Sequence, residues 1–375
     1  MNRWDGTRRR RVLAVSALSL VAALAAYALW VNFSYLVVPF GPAESDIRVA
    51  VWRHQGYYKI RPGTYHYEKY GTRFTINERG FRGPAFDPEK RRAFRIIALG
   101  ESSTIGIESD EQSTWPSRLE WYLAQRGMTA EVINAGINGT RSRHHLALFE
   151  QEIVSYHPDL VVYYAGLNDH FVLNVERYPG REHWHKGRND FFRRWRRFKV
   201  IQARLILLKA VGVDTARLIP ASNAWSRKYE ANLLAMAEVS KRAGIGFMMV
   251  TQVLNYPLEI LDLIREGAPM AEIARRLSLF EASWDNFFRQ IDVLGVQKSV
   301  ASRHPEVKLV DLHQAFRDSK AAGRRLFHDP VHLTPEGNRL IAESLAGPIE
   351  REYGALARRR NTPERSVDKA SGGRG

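Results

Sequence analysis

A serine, a histidine and an aspartate in this sequence are of the types from which a nucleophilic active site is built. An apolar run that ends at Leu99 is followed by Gly100-Glu101-Ser102-Ser103. Near the other end of the chain, Asp329 lies three positions before His332. A serine hydroxyl is a poor nucleophile until a base such as neutral histidine accepts its proton. A carboxylate that accepts the second imidazole N–H orients the ring and stabilises its charged form. Because Gly-x-Ser is common by chance, this interpretation depends on elements that bring the three residues together.

Strand and helix patterns alternate along the chain and predict such elements. Strands are predicted at residues 94–99, 131–134, 160–164, 245–250 and 307–310, and residues 160–164 are continuously apolar like a central parallel strand. Helices are predicted from Trp115-Pro116, around Leu146 and Phe149 up to Pro158, between residues 277 and 291, and from Thr334-Pro335. This alternation predicts an α/β domain with a parallel sheet covered by helices on both faces.

Four polar loops follow predicted strands, at residues 100–103, 134–140, 164–169 and 328–335. They contain Ser102, Gly139, Asn168 and the Asp329–His332 pair, respectively. In a parallel α/β sheet the loops at the carboxyl ends of the strands lie at one edge, where ligands bind. We therefore expect these residues to share a site.

Together the four blocks resemble the SGNH (GDSL-type) hydrolase family, over about residues 94–350. The resemblance implies a three-layer, flavodoxin-like sandwich with a central parallel sheet. It implies Ser102 as nucleophile with Asp329 and His332 as its catalytic partners, and an oxyanion hole formed by Ser102, Gly139 and Asn168. It implies no cofactor. Glu101 departs from the family, which often has Asp at this position.

Composition and charge limit the possible partners. The chain has 375 residues, of which 45% are hydrophobic and 26% charged, as expected of a globular protein. It has no cysteine, which excludes disulfides, thiol chemistry and Cys-based zinc sites. His183 and His185 lack an accompanying carboxylate cluster, so no metal site is predicted. The net charge of +16 favours anionic partners, although no nucleic-acid-binding module is recognisable and nucleic acid is not expected.

The N-terminus predicts a membrane anchor. Residues 1–11 are basic, and residues 12–31 are apolar and long enough to span a bilayer as one helix. The basic flank should stay cytoplasmic, which places the catalytic domain outside the cytoplasmic membrane, in the periplasm. Ala26-Tyr27-Ala28 offers the alternative of a cleaved signal peptide. Apolar and aromatic residues continue beyond it, which favours the uncleaved anchor.

The rest of the chain divides around the hydrolase domain, predicted at residues 94–354. Residues 42–93 are expected to form an extracytoplasmic extension packed on that domain, or a stalk. A basic, aromatic insert at 172–222 is either a solvated helix face or a lid that meets anionic lipid or an acidic polymer. Residues 355–375 are predicted to be a disordered tail.

These observations predict a serine ester hydrolase that removes O-acyl groups, O-acetyl above all, from a cell-envelope or exported polysaccharide. Three alternatives stay open: a lysophospholipase or thioesterase acting on lipid acyl esters, an O-acyltransferase to polysaccharide, and a non-catalytic polysaccharide-binding assembly protein. The complete set of Ser102, Asp329 and His332 argues against the last, because a binding module needs no such set.

Overall fold

The computed structural model describes residues 51–54, 56–89, 94–170, 223–268, 284–329 and 331–361, together with residues 15, 16 and 19. By its contacts the chain divides into two units, Met1–Glu44 and Ser45–Gly375. The predicted basic terminus (1–11), nearly all of the predicted anchor (12–31) and the basic insert (172–222) lie outside the described residues. Among the residues that are described, no helix has the length and apolar character needed to cross a membrane.

Within the described ranges the strands form two antiparallel hairpins and one parallel sheet. The hairpins pair β1 (Val51–His54) with β2 (Tyr57–Ile60), and β3 (Gly63–Tyr67) with β4 (Thr72–Ile76). The sheet comprises β5 (Phe94–Gly100), β6 (Ala130–Gly136), β7 (Leu160–Tyr164), β8 (Gly246–Val250) and β9 (Val307–Val310). Its order is β6-β5-β7-β8-β9 and every neighbouring pair is parallel. The predicted strands are all present, with ends displaced by at most two residues.

In the described residues from 51 onward, nine helices accompany these strands. They are α1 (Ser102–Ile105), α2 (Trp115–Gln125), α3 (Ser142–Gln151), α4 (Leu167–His170), α5 (Asn223–Ala243), α6 (Leu258–Arg265), α7 (Trp284–Arg303), α8 (His313–Ala321) and α9 (Pro335–Asn361). Single 3-10 turns occupy Glu68–Tyr70, Glu111–Ser113 and Ile153–Tyr156. Both predicted proline starts are present: Pro116 lies in the first turn of α2, and α9 begins at Pro335.

The sheet separates two hydrophobic clusters, because successive side chains of a strand point to opposite faces. Ile96 and Ala98 of β5 belong to one cluster with residues of α2, α6, α8 and α9. Ile97 and Leu99 belong to the other with residues of α3, α5 and α7. The described residues therefore form an α/β structure with helices on both faces of a central parallel sheet.

Residues 56–89 pack against this sheet structure. Tyr58, Phe74 and Phe81 are buried in the same cluster as Phe149 of α3. Arg82 forms a β-bridge with Asn134 on the edge strand β6, where its N–H donates to the Asn134 carbonyl over 3.2 Å. Residues 56–89 are thus an extension packed on the domain rather than a separate stalk.

The predicted tail boundary at residue 354 is wrong. Helix α9 continues to Asn361, and Ala357 is fully buried in the first cluster. The mostly polar composition of residues 355–375 gave no sign that Ala357 is buried. Because this alanine packs in the core, the last turns of α9 belong to the domain. Residues 362–375 lie outside the described part of the chain.

Candidate active site

The ends of three adjacent strands create the site. Gly100 at the end of β5 is in register with Gly136 of β6 on one side and Tyr164 of β7 on the other. The loops that carry Ser102, Gly139 and Asn168 follow these strands. They therefore leave the sheet side by side, with Ser102 on the loop that follows the middle strand.

Glycine is required at both strand ends by the closeness of the neighbouring backbone. A Cβ atom at Gly100 would lie 2.4 Å from the Tyr164 carbonyl oxygen, and one at Gly136 would lie 2.1 Å from the Ile105 nitrogen. Neither position can hold a side chain without moving backbone. This close packing sets α1, with Ser102 as its first residue, directly against β6.

The structure brings the predicted Ser102, His332 and Asp329 together. His332 Nε2 lies 3.1 Å from Ser102 Oγ, and His332 Nδ1 lies 2.7 Å from Asp329 Oδ2. The other carboxylate oxygen of Asp329 accepts hydrogen bonds from the backbone N–H groups of Val331 (2.8 Å) and His332 (2.7 Å). The carboxylate thus orients both the imidazole ring and the loop that carries it.

The loop before α9 is closed like a small hairpin. The backbone N–H of His328 donates to the His332 carbonyl over 2.8 Å, and that of Thr334 donates to the Leu326 carbonyl over 3.0 Å. The Thr334 hydroxyl then accepts from the Gly337 N–H at the start of α9. His332 therefore projects from a loop held at both ends.

Hydrogen bonding and charge shift the pKa values of this pair in opposite directions. Burial alone would lower the pKa of His332, but the hydrogen bond to Asp329 and the nearby charge of Glu108 raise it above its ordinary value. Burial alone would raise the pKa of Asp329, but its hydrogen bonds with His332 hold it well below its usual range. Asp329 is therefore ionised at neutral pH and stabilises the protonated imidazole.

The predicted oxyanion-hole residues flank Ser102 on the two outer loops. Gly139 has a φ of +70°, a backbone conformation that favours glycine. Asn168 lies in the short helix α4 after β7. The structure places both residues at the same sheet edge as Ser102, and their role in binding an oxyanion stays a prediction.

Glu101 has a structural role that the sequence did not reveal. Its carboxylate is buried and accepts hydrogen bonds from the backbone N–H groups of Gly166 (3.0 Å) and Asn168 (3.2 Å). Burial, reinforced by the charge of Asp169, raises the pKa of Glu101 to about 8. The side chain next to Ser102 therefore ties the nucleophile loop to the Asn168 loop. The signal in the sequence was an acidic residue directly after an apolar strand, at a position where the family often has Asp.

The sequence model of the GDSL-like Lipase/Acylhydrolase family matches residues 98–340. This chain belongs to the GDSL-like lipase/acylhydrolase family. The match includes all four loops of the site and ends within α9. The extension formed by residues 56–89 lies before it.

Individual relatives are more distant. An arylesterase of Vibrio mimicus is 33% identical over 75 residues, which cover 20% of this chain and 38% of that protein. An acetyl xylan esterase, AlAXEase, is similar in structure with 18% identity and a TM-score of 0.42, covering 68% of this chain and 99% of the other. A lipase/acylhydrolase of Enterococcus faecalis has 16% identity and a TM-score of 0.41, covering 69% and 96%.

Two features of this family member were absent from the sequence predictions. Glu108 is buried beside His332, with Oε1 3.8 Å from Nε2 of the ring. Tyr70 of the extension packs against the ring of His328, with 4.7 Å between ring centroids. Over the ranges that the structure describes, no group of three or more His, Asp or Glu residues is placed to hold a metal ion.

Proposed function

We propose that this protein is a serine ester hydrolase that acts through an acyl-serine intermediate. The observation that carries the proposal is the continuous contact from Ser102 Oγ to His332 Nε2 (3.1 Å) and from His332 Nδ1 to Asp329 (2.7 Å). This arrangement supplies a nucleophile, a base and an orienting carboxylate in one chain of hydrogen bonds. Membership of the GDSL-like lipase/acylhydrolase family and the match to an arylesterase support the same reaction.

The reaction has two halves. As Ser102 Oγ attacks the ester carbonyl carbon, its proton passes to His332 Nε2, and collapse of the tetrahedral intermediate returns that proton to the departing alcohol oxygen. A water molecule then gives a proton to His332 and attacks the acyl-serine, which releases the carboxylic acid and restores the serine hydroxyl. In both halves Asp329 accepts the Nδ1 hydrogen bond and balances the charge of the imidazolium.

The tetrahedral oxyanion is bound, in this proposal, by the backbone N–H groups of Ser102 and Gly139 and by the side-chain amide of Asn168. The three loops that carry these groups follow adjacent strands. Removal of one such donor typically costs about 3–4 kcal/mol of transition-state stabilisation. Glu101 contributes indirectly, because it holds the backbone of Asn168.

The proposed substrate is an O-acyl ester, O-acetyl above all, on a cell-envelope or exported polysaccharide. It rests on the predicted anchor at residues 12–31 and on the basic flank that would keep the N-terminus cytoplasmic. In this arrangement the enzyme is a single-pass membrane protein whose catalytic domain meets periplasmic polymers. The basic insert at 172–222 would then face anionic polymer or lipid.

Substitution of the nucleophile tests the proposed reaction. Full-length protein should release acetate from p-nitrophenyl acetate, and Ser102→Ala should lower kcat by at least about 10³-fold. A fluorophosphonate probe should label the wild type on Ser102. The matched control is Ser103→Ala, in which the neighbouring hydroxyl is removed and labelling should persist. Unchanged turnover in Ser102→Ala would exclude this serine as the nucleophile.

A chain-length series tests the substrate class. Acetyl, octanoyl and palmitoyl esters are compared by kcat/KM, and the proposal requires a preference for acetyl. A palmitoyl preference would instead indicate a lipid substrate. Formation of an acetylated sugar in place of free acetate, when an oligosaccharide is added, would indicate acyl transfer. Wild-type protein that neither turns over esters nor reacts with the probe would indicate a binding protein.

Protease treatment of spheroplasts tests the location. The catalytic domain should be digested from outside while the cytoplasmic membrane is intact. A domain that is protected from protease until the membrane is dissolved contradicts the proposed orientation.

A further inference from the structure

A buried carboxylate lies on the side of His332 opposite Asp329. Glu108 is on the loop between α1 and the Glu111–Ser113 turn, and only 5% of its side chain is exposed. Its Oε1 lies 3.8 Å from His332 Nε2, the atom that lies 3.1 Å from Ser102 Oγ. The imidazole is therefore flanked by a carboxylate at each ring nitrogen.

We propose that Glu108 is a positioning residue for His332, and that the N-terminal extension holds it in place through Arg82. The proposal rests on the proposed function, because it assigns Glu108 an effect on the base of that reaction. When His332 takes the serine proton, the new positive charge lies between Asp329 and Glu108. Glu108 stabilises this charged form from the Nε2 side, whereas Asp329 does so from the Nδ1 side.

Arg82 clamps the loop that carries Glu108. Its guanidinium is buried and donates to the backbone carbonyls of Ile105 (2.8 Å), Gly106 (2.6 Å) and Ser109 (2.7 Å). Three carbonyls on both sides of Glu108 are thus fixed by one side chain. A planar group with several donors suits such a task, and lysine has no equivalent geometry.

Two further contacts hold the same loop from other elements. The Thr72 hydroxyl of β4 donates to the Ile107 carbonyl over 2.6 Å. The Asn338 amide of α9 donates to the Ser109 hydroxyl over 3.0 Å. Thr72 and Arg82 both precede the residues matched by the family model, which begin at 98. The extension therefore supports the loop that carries Glu108.

Other charged groups also face His332 and set the sign of the effect. Asp329 and Glu108 raise the pKa of His332, whereas burial and the Lys69 ammonium of the extension lower it. Burial lowers the pKa of His328 on the same loop, and the charges of Arg325 and His332 lower it further. Burial raises the pKa of Glu108, and the charges of His332 and Arg82 oppose this shift. Removing the charge of Glu108 must therefore lower the pKa of His332.

Chemical modification measures this effect without requiring activity. Diethyl pyrocarbonate acylates neutral imidazole, so the rate of His332 modification against pH, followed by peptide mass spectrometry, reports its protonation. The measurement uses full-length protein in a Ser102→Ala background, so that the serine is absent from every variant. Adding Glu108→Gln should move the midpoint down by about one pH unit. Asp110→Asn is the matched control, because it removes an exposed carboxylate of the same loop and should leave the midpoint unchanged.

The outcomes separate this inference from the proposed function. An unchanged midpoint in folded Glu108→Gln overturns the inference, even if wild-type protein hydrolyses esters. If Glu108→Gln does not fold, Glu108→Asp replaces it, because aspartate withdraws the carboxylate from His332 by one methylene. A modification midpoint in Glu108→Asp equal to that in Asp110→Asn then overturns the inference. In active enzyme with an intact Ser102, the acid limb of kcat/KM should move with the midpoint. An inactive wild type whose midpoint still moves with Glu108 contradicts the proposed function alone.

Discussion

At the scale of single residues, the site depends on acidic side chains whose pKa values are shifted by their surroundings. Asp329 acts directly on His332, whereas Glu101 acts on the backbone of the neighbouring Asn168 loop. Burial raises the pKa of Glu101 to about 8 and that of Asp169 to about 6. These two acids lie beneath the site, and they should make the stability of the fold depend on pH.

In Glu101→Gln the free energy of unfolding should fall less steeply with rising pH than in the wild type. Glu101 has a folded pKa of about 8 against 4.5 for the unfolded chain. Between these values the folded state keeps a proton that the unfolded state has released, so the free energy of unfolding falls as pH rises. The contribution of one such group is at most about 1.4 kcal/mol per pH unit. Gln keeps an acceptor for the Gly166 and Asn168 N–H groups but cannot ionise.

Urea unfolding at pH 5, 6.5 and 8 checks this expectation. The slope of unfolding free energy against pH should be shallower in Glu101→Gln than in the wild type. Glu150→Gln, which removes a carboxylate from the exposed side of α3, should keep the wild-type slope. Identical slopes in all three proteins would show that Glu101 does not titrate in this range.

At the scale of elements, the site is a consequence of strands that end together. β6, β5 and β7 are adjacent and in register up to Gly136, Gly100 and Tyr164. Helix α1 can start immediately after β5 only because glycine at the end of β6 leaves room for its backbone. The position of Ser102 is therefore set by packing between two backbones rather than by its own side chain.

Gly136→Ala should displace α1 and with it Ser102. The added Cβ would lie 2.1 Å from the Ile105 nitrogen and 2.7 Å from the Thr104 carbonyl carbon, and both atoms belong to backbone. Overpacking of this kind typically costs about 1–3 kcal/mol of stability. Because a shift of about 1 Å at a reacting group can cost 10²-fold in rate, we expect a large fall in kcat even in folded protein.

The matched control for this substitution is Gly295→Ala in α7. Among the described residues, no heavy atom other than those of the adjacent residues and of the α7 backbone lies within 4 Å of a Cβ built at Gly295. Alanine there should leave kcat unchanged and raise the free energy of unfolding by up to about 1 kcal/mol, because alanine favours helix. Kinetics and urea unfolding of both variants test the pair, and wild-type kcat in Gly136→Ala would contradict the expected displacement.

At the scale of the whole molecule, the extension belongs to the catalytic structure. Its aromatic residues share a hydrophobic cluster with the sheet, and Arg82 holds the loop of Glu108. The extension lies outside the residues that the family model matches. We therefore expect the residues matched by the family model to be less stable without the extension.

Truncation tests the dependence on the extension. A chain that begins at Ser45, the start of the second unit, should keep cooperative unfolding and labelling of Ser102 by a fluorophosphonate. A chain that begins at Phe94 loses Tyr58, Phe74 and Arg82, exposes the apolar surface they cover, and should aggregate or lose labelling. Thermal unfolding and labelling compare the two proteins. Full labelling of the shorter chain would show that the extension is dispensable.

Local patterns in the sequence were sufficient for the strands of the sheet and for the segments that bring Ser102, Asp329 and His332 together, whereas the roles of these residues stay predictions. Buried parallel strands consist of continuous apolar residues, so a strand such as Leu160–Tyr164 is visible without its neighbours. Asp329 and His332 are three residues apart, and their contact depends on one loop. The order of the four blocks indicated the family. The anchor, the location and the polymer substrate stay predictions.

Tertiary structure alone decided which distant side chains act on these residues. Arg82, Glu108 and His332 lie in three separate segments, and no periodicity or motif marks their contacts. Residues 355–361 continue helix α9, and Ala357 is buried there, although the sequence from Arg358 onward is polar. Sequence patterns record the local preference of a segment, whereas burial and charge at the site depend on segments brought together from the whole chain. The sequence therefore indicated the segments that carry Ser102 and His332, but not the side chains that surround His332.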